Sequence, residues 1–442
     1  MRSVEAHARV VADLIRPRPA ATVALADAAG LVLADDVVAP LSLPGFDNSA
    51  MDGYAVMAHD VTSATAKSPV TLPVAEDIPA GRTDTLTLKP GTAHRIMTGA
   101  PVPAGATAVV PVEITNAGTE TVEIRAAAKP GQHIRRAGED VQAGVTVLSS
   151  GQVVTPAALG LAAALGLTEL TVIPRQRVLV VSTGEELVAA GQPLRPGQIY
   201  ESNSVMLAAA VREAGGEVVA APMTGDDVDE FRHALDTYAG LADLIITTGG
   251  VSAGAYEVVK DSLRGAGVEF VKVAMQPGMP QGAGRLEVGL EVGLEVGLEV
   301  NAVGTSIVAL PGNPVSALVS FEVFVRPALR TAMALPWPHR PQRTAVLTDG
   351  LTSPRGKRQF RRGVLDHATA SVTTYGPPAS HHLRWLASAN CLLEIGEDVV
   401  EMAAGSHVQI WDLSTGMSPV QSARWPDAPN SPEMTRSPKP PG

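Results

Sequence analysis

Only one cysteine, Cys391, stands in the 442 residues. An intrachain disulfide is therefore excluded, and the usage points to a reducing compartment. Aromatic residues are scarce, 3% of a chain that is 45% hydrophobic, so its cores must be filled by Ala, Val and Leu. No apolar run approaches the ~18–20 residues that a membrane span needs. The first residues, MRSVEAHARVVADLIRP, are broken by Glu5, Arg9 and Asp13 and lack a signal-peptide core. Positive charge is also short. The formal net charge of −11 argues against general nucleic-acid binding, while leaving room for a local basic pocket for a small anion. These absences lead us to expect a cytoplasmic, water-soluble protein of roughly two to four domains.

What is present is organised around Asp243–Lys260, DLIITTGGVSAGAYEVVK. Leu244, Ile245 and Ile246 form the short apolar run of a strand buried on both faces. Gly249, Gly250 and Gly254 then open a tight loop, and a helix is expected from Ala255, through Lys260, to Gly265. Strand, glycine loop and helix together bring backbone N–H groups up to an anion. The glycines miss the dinucleotide spacing. They match the outer spacing of a Walker loop, but Ala255 and Tyr256 stand where Lys and Ser/Thr belong. G-x-S-x-G is matched literally with Ser252 at its centre, which keeps a serine hydrolase open, with Asp349 or Asp366 and His367, His381 or His382 as later partners. A plain turn between strand and helix is equally compatible with the loop taken alone.

In chain order, Val4, Ala8, Val11, Leu14 and Ile15 repeat at helical spacing and Pro17 ends the helix. The turn-rich PLSLPGFDNSAMDGYAV carries Asp47, Asn48, Asp52 and Gly53 between apolar flanks, as a loop held rigidly on a core would. Short alternating runs follow (Val70–Val74, Thr85–Leu88, Ala108–Val112, Val122–Ile124), predicting a small β domain. It closes on Arg135 and Arg136 beside Glu139 and Asp140, a grouping that more often makes a surface ion cluster than a site. An Ala/Leu-rich helix, Ala157–Leu167, is expected to pack back on the first helix. From Val178 to Arg330 strands and helices alternate: strands at Val178–Val181, Glu217–Ala221, Leu244–Thr247, Phe270–Ala274 and Ile307–Leu310, helices at Val205–Ala214 and Asp229–Tyr238, and one from Pro314 to Arg330. Such alternation means a doubly wound sheet with ligands at the carboxyl ends of its strands. Three of those ends carry marked loops: Ser182-Thr183-Gly184-Glu185-Glu186, the glycine loop above, and Leu310-Pro311-Gly312-Asn313-Pro314.

Between the last two of these strands lies LEVGLEVGLEVGLEV, Leu286–Val300. As a helix it would lose about 1 kcal/mol at each Gly, and as one strand it would reach roughly 50 Å. A hairpin or mobile loop with no function is the expectation. After Pro336-Trp337-Pro338 short strands return to about Leu413, predicting a second small β domain. It begins with Arg355, Lys357, Arg358, Arg361 and Arg362, which read either as a charged edge strand or as an anion clamp. From about Thr415 the Pro- and Ser-rich composition predicts a disordered tail.

Eight segments, in order, then carry a resemblance: PGFDNSAMDGYAV, RIMTGAPVPAGATAVV, IRRAGED, STGEEL, GQIYESNS, TTGGVSAG, LPGNPVSA and FRRGVL. Together they resemble the molybdopterin molybdenumtransferases, the MoeA-type enzymes that include the E domain of gephyrin. The resemblance spans about residue 30 to 412. It implies a multidomain α/β plus all-β protein: a helical linker domain at 1–50 and 141–174, a small β domain at 51–140, an α/β molybdopterin-binding domain at 175–334 and a C-terminal β domain at 335–414. It further implies an elongated homodimer, insertion of molybdate into adenylylated molybdopterin with release of AMP, and possible contact with a molybdopterin adenylyltransferase.

Carried over residue by residue, the resemblance places the family's acidic positions on Asp52, Asp140, Glu186 and Asp226, with Thr98 beside them, Lys272 in the sheet and Arg362 in the last domain. Asp226 and Glu257 are the implied Mg²⁺ ligands, and Asp52, Asp140, Asp226 and Glu257 the implied catalytic set. Thr98, Thr183, Gly184, Glu186, Gly249, Gly250, Ser252, Gly254, Lys260, Lys272, Pro311, Gly312, Asn313 and Arg362 would contact substrate. Carboxylates cannot bind molybdate directly, but they can hold Mg²⁺ against phosphate oxygens or orient water. Cations and loop N–H groups would hold the anions. Three positions depart from the pattern: Glu257 replaces Asp, and Gln276 and Met279 replace two lysines. A non-catalytic scaffold, which the gephyrin likeness allows, is the second alternative to the enzyme.

Overall fold

The computed structural model describes residues 1–251, 258–263, 265–286 and 304–414. Ser252, Gly254, Glu257, nearly all of the LEVG repeat and the segment from 415 onward lie outside the described residues. The chain divides into two compact units, residues 18–174 and residues 1–17 with 175–442.

The first helix, α1 (Val4–Leu14), starts on Ser3, whose Oγ accepts from Ala6 N at 3.2 Å. Its buried face of Val4, His7 and Val11 packs into the core of the second unit, with Val180, Ile246, Val308 and Phe324. The sequence suggested that the later Ala/Leu-rich helix would pair with it. That expectation fails, because an apolar stripe shows that a helix face is buried but not against what.

Residues 18–174 hold four sheets of their own, two of them only two-stranded pairings, of Asn48–Ser49 with Ile134–Arg135 and of Val37–Val38 with Thr146–Leu148. Strands β1 (Ala21–Ala24) and β2 (Val32–Leu33) belong to a three-stranded sheet. A five-stranded sheet holds β3 (Gly53–Val56), β4 (Val70–Ile78), β5 (Ala93–Ile96), β6 (Ala108–Pro111) and β7 (Thr121–Ile124), in the order β6-β3-β5-β4-β7. Helix α2 (Pro156–Ala164) begins at N-cap Thr155 with Pro156 in its first turn. Strand β8 (Glu169–Ile173) completes the small sheet in the order β1-β8-β2. α2 buries Ala158 and Ala162 against Leu33, Leu170 and Val172. Within the stretch expected to be a helical linker, residues 21–33 and 156–173 form this small sheet with one helix on it.

The other unit carries a mixed, seven-stranded sheet. Its strands and the helices between them are β9 (Arg177–Thr183), α3 (Asn203–Glu213), β10 (Glu217–Ala220), α4 (Val228–Tyr238), β11 (Leu244–Thr248), α5 (Val258–Ser262), β12 (Val268–Lys272), β14 (Pro280–Leu286) and β15 (Thr305–Leu310), with the two-residue strand Met223–Thr224 as the seventh on β9. The short β13 (Met275–Gln276), between β12 and β14 in the chain, belongs to the sheet of the last domain. The main path runs β10-β9-β11-β15-β14-β12. The central strands β9, β11 and β15 are parallel, in register from Val178, Leu244 and Ser306, and buried on both faces as their apolar runs require. β14 was not expected. It runs antiparallel to both neighbours, and its centre is small because the space is taken: a Cβ on Gly284 would lie 2.1 Å from the Gly267 carbonyl oxygen.

The helix expected from Pro314 to Arg330 is interrupted. It consists of α6 (Pro314–Ser320), a π-turn at Phe321–Val325 and α7 (Arg326–Ala332). Pro327 has no N–H for the carbonyl four residues back, and its ring crowds that carbonyl, so the preceding turn widens. His7 packs edge-on against Phe324 of this turn, with ring centroids 4.7 Å apart. It is fully buried, and burial pushes its pKa down to about 4.

The last domain holds β16 (Gln342–Leu347), β17 (Arg358–Asp366), β18 (Ser371–Thr374), helix α8 (Leu383–Ala387), β19 (Cys391–Ile395) and β20 (His407–Asp412). β17-β18-β16-β20-β19 pair in a ring that closes between β19 and β17, and β13 adds to β17. β17 is therefore no edge strand. Its cations are also not a free cluster: Arg358 pairs with Glu5 at 2.5 Å and with Glu394 and Glu397. Cys391 is sealed in the core of this domain, where burial raises its thiol pKa to about 12. No helix among the described residues is long and apolar enough to cross a membrane.

Candidate functional site

The parallel register brings Ser182, Thr248 and Leu310 level at the carboxyl ends of β9, β11 and β15. The chain then has to turn three times in the same small space, which explains the glycines. Gly249 has φ +99°, and a Cβ there would lie 2.5 Å from the Thr183 carbonyl oxygen. A Cβ on Gly312 would lie 3.3 Å from Gly249 Cα. The three loops thus touch backbone to backbone. Thr248 Oγ1 donates to Pro311 O at 3.2 Å. Asn203, the first residue of α3, donates through Nδ2 to Thr248 Oγ1 at 3.0 Å and to Gly312 O at 2.6 Å.

These loops form the floor of a cavity of about 920 Å³, at the upper end of the range for small-molecule sites. Thr183, Gly184, Gly249, Gly250, Pro311, Gly312 and Asn313, expected from the sequence to contact substrate, all line it, as do Glu186 and Asp226. Three polar atoms in its wall are buried without a hydrogen-bond partner: Ser182 Oγ, Thr183 Oγ1 and Asn203 Oδ1. A buried polar group left unpaired costs about 1–3 kcal/mol, and a ligand would remove that penalty here.

Asp226 precedes α4 and is held by reciprocal bonds with the first loop. Its amide donates to Glu185 Oε1 at 3.2 Å, and its Oδ2 accepts from Glu185 N at 3.5 Å. Asp227 caps α4 by accepting from the amides of Asp229 and Glu230, both at 2.9 Å. Glu201, also on the wall, was missed. It is buried, and its two oxygens accept from Ser204 N at 2.7 Å and Ser204 Oγ at 2.6 Å. Asn203 was missed as well. Both lie in IYESNS, where acid, Ser and Asn before a helix read as a cap, and α3 indeed starts there.

The remaining wall comes from the loop before α8, through Ala379, Ser380 and His381. Asn313 Nδ2 donates to Ser380 Oγ at 3.0 Å, and Val315 N to Ser380 O at 3.0 Å. Arg362 sits beneath this loop, buried, with its guanidinium donating to the carbonyls of Pro377, Ala379 and His382. Expected on the substrate, it is seen here holding the loop that borders the cavity. Lys260 on α5 and the exposed Lys272 at the end of β12 are not among the lining residues.

In residues 18–174, Asp52 and Thr98 are brought together. Thr98 N and Oγ1 donate to Asp52 Oδ1 at 2.6 and 2.7 Å, which lowers the carboxyl pKa, the backbone bond being the larger cause. Asp140 is exposed, and its amide donates to Leu43 O at 3.1 Å. The pairing expected among Arg135, Arg136, Glu139 and Asp140 is different in detail. The Arg136 guanidinium binds Asp47 at 2.5 Å, and Glu139 accepts only the Arg136 amide, at 2.8 Å.

Comparison with known proteins now bears on the site. Residues 2–166 match the MoeA N-terminal region (domain I and II), 179–331 a probable molybdopterin binding domain, and 344–413 the MoeA C-terminal region (domain IV). The chain is 68% identical to molybdopterin molybdenumtransferase 2 of Mycobacterium tuberculosis over 94% of this chain and 100% of that protein. It is 36% identical to molybdopterin molybdenumtransferase 1 of the same species, over 93% and 98%. The crystal structure of the molybdopterin biosynthesis MoeA protein of Pyrococcus horikosii matches with a TM-score of 0.73 at 27% identity, covering 93% of this chain and 98% of that one. The hydrolase and scaffold alternatives find no support in these relatives. The loops that meet at Thr183, Gly249 and Gly312 are those of an enzyme, and the chain belongs to the molybdopterin molybdenumtransferase family.

Proposed function

We propose that the protein inserts molybdate into adenylylated molybdopterin, with release of AMP, to give the molybdenum cofactor. The observation that carries this reading is the cavity at the carboxyl edge of the sheet, with buried, unpartnered hydroxyls of Ser182 and Thr183 in its wall. Two hydroxyl donors and an amide acceptor suit a ligand with phosphate oxygens and ring N–H groups. Thr183 and Ser182 would donate to phosphate, and Asn203 Oδ1 would accept from the pterin. Asp226, fixed by Glu185, would orient the water that cleaves the anhydride. Ser380 and Asn313 join the last domain to the loop after β15.

Among the described residues no group of three or more metal-ligating side chains occurs. An all-protein cage is therefore not the fitting arrangement. Asp226 and Glu186 on one wall suit Mg²⁺, which is commonly bound by one or two carboxylates with water and substrate phosphate completing its shell. Glu257, the other expected ligand, is outside the described residues. When bound, the ion would draw charge from the phosphate oxygens. We place the protein in the cytoplasm as a homodimer that receives its substrate from a molybdopterin adenylyltransferase.

The test is an insertion assay on the purified chain with adenylylated molybdopterin and molybdate, Mg²⁺ added or withheld. AMP release and cofactor formation that depend on both substrates are expected, with Asp226→Asn lowering the rate at least a hundredfold. Absence of turnover by the wild-type protein would overturn the reading.

A further inference from the structure

An enzyme that receives a tetrahedral dianion would ordinarily present it with a fixed positive charge. Among the described residues lining this cavity there is no Lys and no Arg, and the sequence from Val251 to Val259 adds none. The neighbouring cations are committed elsewhere. Arg362 holds the carbonyls of the loop beneath which it is buried, and Arg358 is neutralised by Glu5, Glu394 and Glu397. The wall carries three carboxylates instead: Glu186, Glu201 and Asp226.

Apart from the imidazole of His381, the donors on offer are neutral amides and hydroxyls, and one of them is held in place by a buried partner. Gln276 lines the cavity at the junction of β13 and β17, paired in register with Gln359. Its Oε1 accepts from Gln359 Nε2 at 3.1 Å. Gln359 is itself only 3% exposed and cannot swing away. The bond uses the acceptor end of the Gln276 amide and leaves its Nε2, with two N–H donors, for the cavity. The hydroxyls of Ser316 and Ser380 line the same space.

Resting on the functional reading above, we infer that this cavity takes its tetrahedral oxyanion on neutral hydrogen-bond donors, with the Gln276 amide as the residue that determines affinity. Neutral donors bind an oxyanion roughly half as strongly as charged ones, so the site works at higher anion concentration than a cationic one would. Salt dependence follows. A cation–anion contact weakens as ionic strength rises, whereas here salt screens the anion from the three carboxylates. Binding is therefore flat or tightens as salt is added.

Equilibrium dialysis of molybdate alone against the full chain, at about 25 and about 250 mM salt, tests this. Wild-type affinity should change less than twofold or improve at high salt. Gln276→Lys should bind about tenfold tighter at low salt and lose at least threefold of that gain at high salt. Gln276→Leu, which keeps the bulk and removes the donor, should weaken binding at least fivefold. Wild-type binding that weakens more than threefold with salt, absence of molybdate binding, or both variants within twofold of wild type would each overturn the inference. A parallel insertion assay separates the two readings. Turnover with a molybdate dependence unchanged in Gln276→Lys refutes the neutral site and spares the function, whereas the expected dialysis pattern without turnover does the reverse.

Discussion

Thr98 gives both its amide and its hydroxyl to one oxygen of Asp52. Two donors on Oδ1 stabilise the charged carboxylate and leave Oδ2 to other partners. Thr98→Val removes the hydroxyl and keeps the amide. The Asp52 pKa should therefore rise but stay below the ordinary carboxylate value, since the backbone bond is the larger cause of its depression. A carbon-detected NMR titration of the carboxyl reads this directly, and an unchanged pKa would count against the hydroxyl bond.

Asn203 ties α3 to the end of β11 and to the loop after β15. Asn203→Ala leaves the Gly312 carbonyl without this donor, and the stability loss should be about 1–3 kcal/mol by urea denaturation. Asn203→Asp should cost more, because a carboxylate faces that carbonyl without a proton to give. Equal stability of all three proteins would show that the loops hold without it.

His7 makes stability depend on pH. Its pKa falls from an ordinary 6.5 to about 4 in the folded chain. Above pH 6.5 the ring is neutral in both states and burial carries no ionic penalty. Between 6.5 and 4 the unfolded chain takes up a proton that the folded one does not, so stability falls as pH falls. The expected contribution is about 2 kcal/mol between pH 7 and pH 5. His7→Phe should remove that part of the slope, measured as the difference between the two proteins' unfolding midpoints at each pH.

Leu286 pairs with Thr305 in the β14–β15 hairpin. Deleting Leu286–Gly297 restores a Leu at the same register and leaves six residues, Glu299–Gly304, to join the strands. Loop closure depends only weakly on length, so the melting temperature should stay within a few degrees and turnover should be unchanged. An insoluble or inactive product would mean that the repeat packs on something.

Arg362→Lys keeps the charge but loses the planar fork that reaches three carbonyls. The loop carrying Ser380 should loosen, and the Val315 amide, which donates to Ser380 O, should exchange with solvent at least tenfold faster. Unaltered exchange there would show that the loop is held by other means.

Much of this was legible in the chain. Leu244, Ile245 and Ile246 read as a doubly buried strand, and the glycines at 249 and 250 as a tight loop at its end. What stayed hidden has physical reasons. The centre of β14 is Gly282-Ala283-Gly284 because Phe270 and the Gly267 carbonyl leave no room for a Cβ at either glycine, and such residues carry no period. The π-turn follows from one proline inside an otherwise helical pattern. Glu201 and Asn203 were concealed by a local role, since residues that start a helix look complete without a ligand. The run of cations left an edge strand and an anion clamp both open, and only burial showed Arg362 turned toward carbonyls.

The sealed Cys391 has a use that its chemistry does not advertise. At neutral pH a thiol whose pKa is about 12 offers reagents almost no thiolate, and its burial denies them access as well. Modification must therefore wait for β19 to part from β17 and β20. Because no other cysteine competes, each molecule is either untouched or heavier by one adduct. The adduct fraction against time is then a clock, built into the chain, for how often the last domain opens.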